Sequence, residues 1–413
     1  MSKLDEMIRE LCPDGVEYVK LGTLCSLITK QTGFDYTNHI KARLLMESTE
    51  NAVPYIQTKF FAGKNFNYQT DYYVPMDIVK QFPKITLDKK CILFSIVGAS
   101  IGNVGLFPGE RKCFLGGAIC VAKVLPQYDV DYIYYCVEAH NVQHQIRRKT
   151  KGAGQATITV EDIREFEIPL PPIEVQREIV RILDNFTDLT ADLTADLTAR
   201  QKQYAFYRNK LLTFGKTEGA RIERIPLGDI GSICMCKRIL KSQTNTVSGV
   251  PFYKIGTFGK EADAYISQET FNEYRSKYNF PKKGDVLISA AGTIGRTVVY
   301  DGKPAYFQDS NIVWIDNDES IVLNSYLRYC YELKPWKASE GGTIPRLYND
   351  NIAKTVIAVP SIEEQKRVVP ILDRFDAICN DLTGGLPAEI EARQKQYEYY
   401  RDKLLTFKEV AAT

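Results

Sequence analysis

Histidine is nearly absent from this chain, three in 413 residues, and its ten cysteines include no CxxC pair. The first scarcity argues against a multi-histidine metal centre. The second removes zinc knuckles and dithiol redox motifs, and Cys234 and Cys236, the only close neighbours, are spaced for neither. Free thiols buried in a reducing cytoplasm are the expected state of all ten. Charge of one sign is also missing: 53 Lys and Arg against 51 Asp and Glu leave a net +2, so any nucleic-acid affinity must come from local basic patches. Long apolar runs are lacking too. The longest, Cys91 to Phe107, is interrupted by Ser95, Gly98, Ser100 and Asn103, and Met1 to Leu11 has no apolar stretch of leader type, so neither secretion nor membrane insertion is expected.

Catalytic signatures are equally sparse. There is no GxxxxGK[ST], no HExxH and no GxGxxG after a strand. The one doubled proline, Pro171 with Pro172, is followed by Ile173 and not by the aromatic residue that completes the Asn/Asp-Pro-Pro loop of adenine methyltransferases. His140 and His144 share a helix face, but with no third ligand in view a solvated face accounts for them.

Duplication is what the sequence has in abundance. PLPPIEVQREIVRILDNF followed by ARQKQYAFYRNKLLTF, within residues 169–214, returns as AVPSIEEQKRVVPILDRF and EARQKQYEYYRDKLLTF within 358–407. Ile182 to Asp184 recur as Ile371 to Asp373 and Arg200 to Tyr204 as Arg393 to Tyr397, offsets that differ by four residues, one helical turn. Fainter echoes link GVEYVKLG at Gly15 to RIERIPLG at Arg221, and SIVGASIGN at Ser95 to SAAGTIGR at Ser289. The order is domain, long helix, domain, long helix: residues 1–168, 169–214, 215–357 and 358–413.

The prolines at 171 and 172 suit a helix start. Apolar residues then follow in steps of three and four, from Ile179 through Ile182, Phe186 and Leu189 to Tyr204, Tyr207, Leu211 and Phe214. A helix over 173–213 would be about 60 Å long at 1.5 Å per residue. One apolar stripe cannot stabilise it alone, so the two long helices are expected to pair as an antiparallel coiled coil. Two separate amphipathic helices, each docked on its own domain, are the alternative. Gly384, Gly385 and Pro387 predict a kink or break in the second helix. The run DLTADLTADLT at Asp188 to Thr198 repeats every four residues, a stutter against the 3.5 of a coiled coil.

Each domain reads as mixed α/β, in the α+β manner. Strands are expected at Val53 to Gln57, Cys91 to Val97, Ala118 to Val124, Pro251 to Ile255, Val286 to Ala290 and Ile312 to Ile315, with helices at Asp131 to Arg148 and Ser325 to Lys337. Irregular alternation argues against a doubly wound parallel sheet. Beside the glycine-rich turns lie polar, basic and aromatic loops, the side chains that read base edges and contact phosphates. In the first domain these offer Lys30, Gln31, Thr32, Gln57, Lys59 and Lys64, then Ser100 and Asn103, then Arg147, Arg148, Lys151 and Gln155. In the second they offer Lys237, Arg238, Lys241, Lys254 and Thr257, then Thr293 and Arg296, then Arg346, Tyr348 and Asn349. A solvated loop explains any one of them; recurrence at equivalent places in both domains favours binding.

Taken together, the paired helix openings and endings, the domain starts, the two glycine turns and the ADLT tandem resemble the specificity subunit of type I restriction-modification enzymes over almost the whole chain. The resemblance implies two target recognition domains that read the two halves of an asymmetric, bipartite site in double-stranded DNA. The helices would then serve as spacer and as platform for two methyltransferase subunits, with restriction subunits joining the full complex. It implies a non-catalytic chain in the cytoplasm of a bacterium or archaeon, with S-adenosylmethionine, ATP and Mg on the partner subunits. Two identical partners need two similar surfaces, and the duplicated Gln201, Tyr204, Tyr207 and Arg208, matched by Gln394, Tyr397, Tyr400 and Arg401, are the candidates; packing of the coiled coil is the alternative role for the tyrosines. Two rival functions stand beside it: a nuclease or methyltransferase enzyme, which would require a carboxylate-metal cluster or a cofactor loop, and a DNA-free assembly scaffold.

Overall fold

A computed structural model describes residues 3–33, 35–150, 156–213, 222–336, 346–381 and 383–410. The chain forms two compact units, Met1–Leu193 with Ile390–Thr413, and Thr194–Glu389. The first boundary falls inside one continuous helix, Ile173–Thr213, whose 41 residues match the span expected from the apolar period.

In the first unit a four-stranded antiparallel sheet runs in the order Cys25–Lys30, Ile119–Val124, Cys91–Ser95, Val104–Phe107. Its central strands are apolar on both faces because both faces are covered, and alternate side chains enter different cores. Ile92, Phe94, Cys120 and Ala122 join the core under the helices Val130–Glu138 and His140–Lys149. Cys91, Leu93, Ile119 and Val121 join a second core under the sheet ordered Tyr73–Pro75, Ala52–Ile56, Cys113–Leu115, Thr86–Leu87. Within that sheet Ala52–Ile56 and Cys113–Leu115 are parallel.

The second unit repeats the plan. Gly231–Cys234, Ile312–Asn317, Val286–Ser289 and Thr297–Val299 form the antiparallel sheet, with Ile288 and Val313 in one core and Leu287 and Trp314 in the other. Val250–Tyr253 and Tyr306–Phe307 are its parallel pair. All six expected strands are present, and the duplication in sequence is a duplication in topology for the antiparallel sheet and the parallel pair; the outer strand of the second sheet differs, Thr86–Leu87 in one unit and Thr244–Asn245 in the other.

Two expected helices are shorter. Asp131 to Arg148 is broken at Ala139, which is extended and buried between Val130–Glu138 and His140–Lys149. The second-unit helix ends at Glu332, because the residue before Pro335 disfavours helical backbone and Lys334 turns to φ +49°; Lys337 lies outside the described residues.

The break in the second long helix is present. Ile362–Asn380 stops, and Leu386–Leu404 begins after Gly385, where a Cβ would lie 2.5 Å from the Ala377 carbonyl oxygen. Within each unit the two long helices stack on each other and also pack on the domain core. In the first, Phe186 stacks on Tyr400 with centroids 5.5 Å apart, and Leu183 and Tyr397 pack against the domain core. In the second, Tyr204 and Tyr207 stack on Phe375 at 6.3 and 5.8 Å, and Tyr204 enters the core. Between Leu183 and Tyr204 the helix buries no residue.

The first turns of the central helix carry a pH-dependent contact. Arg181 binds the buried Glu178 carboxylate through two nitrogens at 2.8 and 3.0 Å and Lys3 adds a third bond at 3.2 Å, holding its pKa down to about 2 from the ordinary 4.5. A depressed carboxylate stabilises the fold above its unfolded pKa and loses that contribution as pH falls through the folded one. Glu178→Gln should therefore lower the melting temperature at pH 7, and the gap from wild type should close as pH falls from about 4.5 to 2. A gap that persists at pH 2 would show that the charge is not what stabilises.

Candidate nucleic-acid interface

The glycine turns are closed by the same pair of backbone hydrogen bonds in both units, the first turn being one residue longer. Ser95 and Asn103 close the first, with the Ser95 amide on the Asn103 carbonyl at 2.9 Å and the Gly102 amide on the Ser95 carbonyl at 3.1 Å; Ser289, Gly295 and Arg296 repeat the pair at 2.9 and 2.9 Å. Gly98, Gly102, Gly292 and Gly295 all have positive φ, between +66° and +86°, which is why glycine recurs there. Each turn is bridged to a later segment of its own unit: Val97 pairs with Thr157 and Ala291 with Arg346. Ser100 holds Ser95 across 2.8 Å, Asn103 and Thr293 are exposed, and the Arg296 guanidinium is committed to the Phe258 carbonyl at 2.8 Å.

Around the first turn the structure gathers some expected residues and disperses others. Lys30 ends its strand opposite Cys120, and Gln31 beside it donates to the Leu115 carbonyl at 2.6 Å. Gln57 lies against Gly116, where a Cβ would meet the Ile56 carbonyl oxygen at 2.2 Å. Thr32, Arg147 and Arg148 are exposed, the arginines in the last turn of their helix. Lys59 is paired with Asp71. Lys64 is held inside the unit by Asp131 at 3.2 Å and by Asp184, 4.5 Å from the Tyr135 ring. Burial would raise the Asp131 pKa, but Lys90 and Lys64 more than offset it and hold the carboxyl low. Lys151 and Gln155 lie outside the described residues.

In the second unit the expected residues converge. Arg238, Lys241, Lys254 and Arg346 line one cleft of about 800 Å³ with Gln308 and Asn311. An adjoining hollow of about 720 Å³ shares Arg346 and Ser310 and adds Tyr348 and Asn349. Arg238 meets Asp309 at 2.9 Å and Lys254 meets Asp263 at 2.8 Å, so part of the positive charge is balanced. Thr257 closes the turn at Lys254, its hydroxyl accepting from the Lys254 amide at 3.1 Å. Lys237 lies over the Tyr278 ring at 5.1 Å.

The long-helix candidates divide by face. Tyr204 donates to Glu332 at 2.9 Å, Arg208 joins the same carboxylate at 3.1 Å, and burial followed by Glu332 pushes the tyrosine pKa up. Tyr397 donates to Glu138 at 3.1 Å, with Arg401 5.5 Å over its ring and paired to Asp402 at 3.1 Å. Tyr204, Arg208 and Tyr397 clasp helix to domain, while Arg401 pairs within its own helix. Tyr207 and Tyr400 stack internally, while Gln201 and Gln394 are exposed. Sequence reasoning passed over Glu138 and Glu332, although YCVE and YCYE echo each other. It also passed over Phe206 and Tyr399, equivalent in the two repeats and 62% and 61% exposed.

Among the described residues no three His, Cys, Asp or Glu side chains are grouped to hold a metal, and no helix is long and apolar enough to cross a membrane. All ten cysteines are free; burial pushes six of the buried thiols, Cys91 and Cys330 among them, up to about 12.

The type I restriction modification DNA specificity domain family matches this chain twice, over residues 13–200 and 221–392. The chain belongs to this family. Membership places it in the DNA-specificity class of type I restriction-modification proteins and bears out the resemblance drawn from the motifs. The chain is 56% identical over 264 residues to a putative type I restriction enzyme specificity subunit of Haemophilus influenzae, covering 62% of this chain and 68% of that one. It is 31% identical over 271 residues to the EcoR124I/EcoR124II specificity subunit of Escherichia coli, covering 59% and 63%. A type I restriction-modification structure aligns over 96% of this chain and 98% of its own at TM-score 0.61, and the S subunit of M. genitalium over 95% and 96% at 0.54; at 18% and 15% identity these share the fold.

Proposed function

We propose that this chain recognises an asymmetric bipartite site in double-stranded DNA, one half per unit, and carries no catalytic activity of its own. The observation that supports this best is the recurrence of one glycine turn, closed by the same pair of backbone hydrogen bonds, in two units whose side chains differ, most visibly in the basic second-unit cleft. Arginine, lysine, asparagine and glutamine around one cleft suit phosphates and base edges together. Methyl transfer, using S-adenosylmethionine, falls to two partner methyltransferase subunits, and ATP- and Mg-dependent cleavage to restriction subunits, in the cytoplasm of the host cell. An electrophoretic shift of specific duplex with the chain and its methyltransferase partner tests the reading; no shift in either the presence or the absence of partner would favour the DNA-free scaffold.

Partner docking is assigned to the outward face of the long helices. Phe206 and Tyr399 are equivalent exposed aromatic side chains, and Gln201 and Gln394 are exposed on the same helices, whereas Tyr204, Arg208, Tyr397 and Arg401 are engaged within their own units. Exposed aromatic side chains are favoured interface anchors. Phe206→Asp combined with Tyr399→Asp should reduce methyltransferase copurification at least tenfold, a typical anchor loss of about 2 kcal/mol at each site, with the circular dichroism spectrum unchanged. Full stoichiometry in the double variant would move the partner surface elsewhere.

A further inference from the structure

The two units diverge most sharply at one equivalent link between strands. In each, a parallel strand pair brings Tyr55 beside Phe114 and Tyr253 beside Phe307. Four residues then lead into the next strand, at Ile119 and at Ile312. The linking backbone is tied the same way, with the Ile96 amide on the Ala118 carbonyl at 3.0 Å and the Ala290 amide on the Asn311 carbonyl at 2.8 Å. Those four residues are Leu115, Gly116, Gly117 and Ala118 in the first unit and Gln308, Asp309, Ser310 and Asn311 in the second. One floor is bare of polar side chains and the other has four.

Three of the four shape the floor. Gln308 accepts the Ile255 amide at 2.9 Å, and Asp309 accepts Arg238 at 2.9 Å. Ser310 holds φ +60°, a left-handed conformation that costs a residue with a Cβ about 1–2 kcal/mol, and Arg346 fixes its carbonyl at 3.0 Å. Strain of this kind persists where the surroundings over-determine it, and it collects at binding sites. The fourth, Asn311, is partly exposed on the cleft wall, and its side-chain amide has no partner among the described residues.

We propose that Asn311 reads an adenine in the half-site of the second unit, through the N6 and N7 edge exposed in the major groove. This rests on the DNA-recognition reading above. A carboxamide presents one donor and one acceptor side by side, and adenine presents the complement. A phosphate offers acceptors only and would leave the Asn311 oxygen unmatched, while Lys241 and Arg346 in the same cleft supply positive charge for the backbone. The first unit has alanine at the equivalent place, so the contact is peculiar to one half of the target.

The test uses the full chain with its methyltransferase partner and duplexes carrying the wild-type methylated sequence. Asn311→Ala should lose about tenfold in affinity for that sequence and discriminate poorly at one position of one half-site, since a bidentate base contact carries about ten- to hundredfold discrimination. Replacing adenine with 7-deazaadenine there should weaken wild type and leave Asn311→Ala unaffected. Asn311→Asp should shift the preference toward cytosine, whose N4 amine donates to a carboxylate. Uniform weakening against all duplexes, or an unchanged methylation motif in both variants, would overturn the assignment. A wild-type complex that binds no duplex would instead refute the DNA reading on which it stands.

Discussion

Truncating Tyr204 to alanine should cost the second unit about 3–5 kcal/mol of stability, the range found when large aromatic side chains are removed from cores. Tyr204 is 5% exposed, stacks on Phe375 and carries Arg208 over its ring at 5.3 Å. Its hydroxyl donates to Glu332, a bond to a charged acceptor. Without the ring, the guanidinium of Arg208 loses its apolar cover, and its Nε is already buried without a partner among the described residues. Tyr204→Phe keeps the ring and removes only the donor, so it should cost about 1–3 kcal/mol. Urea unfolding of the three proteins gives the ordering, and amide exchange should confine the loss to Thr194–Glu389. An alanine variant within 1 kcal/mol of wild type, on the scale of a surface change, would mean that the clasp does not hold helix to domain. Because Tyr397 and Glu138 repeat the contact in the first unit, Tyr397→Ala should show the same behaviour there.

These clasps also explain what could be read from the residues and what could not. The central helix was legible because its apolar steps persist for forty residues, and the six strands because Cys91 to Ser95 or Ile312 to Ile315 are too apolar and too short for a surface helix. The break after Asn380 was legible because glycine and proline act locally. Which face of the helix meets which carboxylate is a non-local fact: Glu138 lies 259 residues from Tyr397 and Glu332 lies 128 from Tyr204. A basic loop residue likewise gives no sign of its counter-ion. Lys64 reads as a DNA contact until Asp131 and Asp184 are seen beside it, whereas Arg238, Lys241, Lys254 and Arg346 do converge on a cleft. The polar floor at Gln308 to Asn311 escaped notice for the opposite reason. It matches its counterpart in length and in one backbone hydrogen bond and in nothing else, so sequence similarity, the signal that exposed the duplication, vanishes where the two units are expected to differ in function.

Removing Ala191–Thr194, one repeat of the ADLT tandem, should direct the methyltransferase partner to the same two half-sites with the gap between them one base pair shorter. The tandem lies in the stretch from 184 to 203 where the central helix buries nothing, and the boundary between the units falls at Leu193 and Thr194, so the deletion removes no core contact. Four residues are about 6 Å of rise and, at 100° each, about 40° beyond a full turn. One base pair of B-DNA is about 3.4 Å and about 35°. Rotational phase decides between a shortening of one and of two, because a recognition surface turned off its groove loses every base contact, whereas an axial offset of a few ångström can be spread over many side chains. Thermal stability should stay within a degree or two of wild type, a shift worth well under 1 kcal/mol. Sequencing of methylated adenines in cells carrying the deletion measures the gap directly. An unchanged gap at full activity would show that the helix does not set the distance, and loss of methylation with the fold intact would show that the phase tolerance is narrower than one base pair.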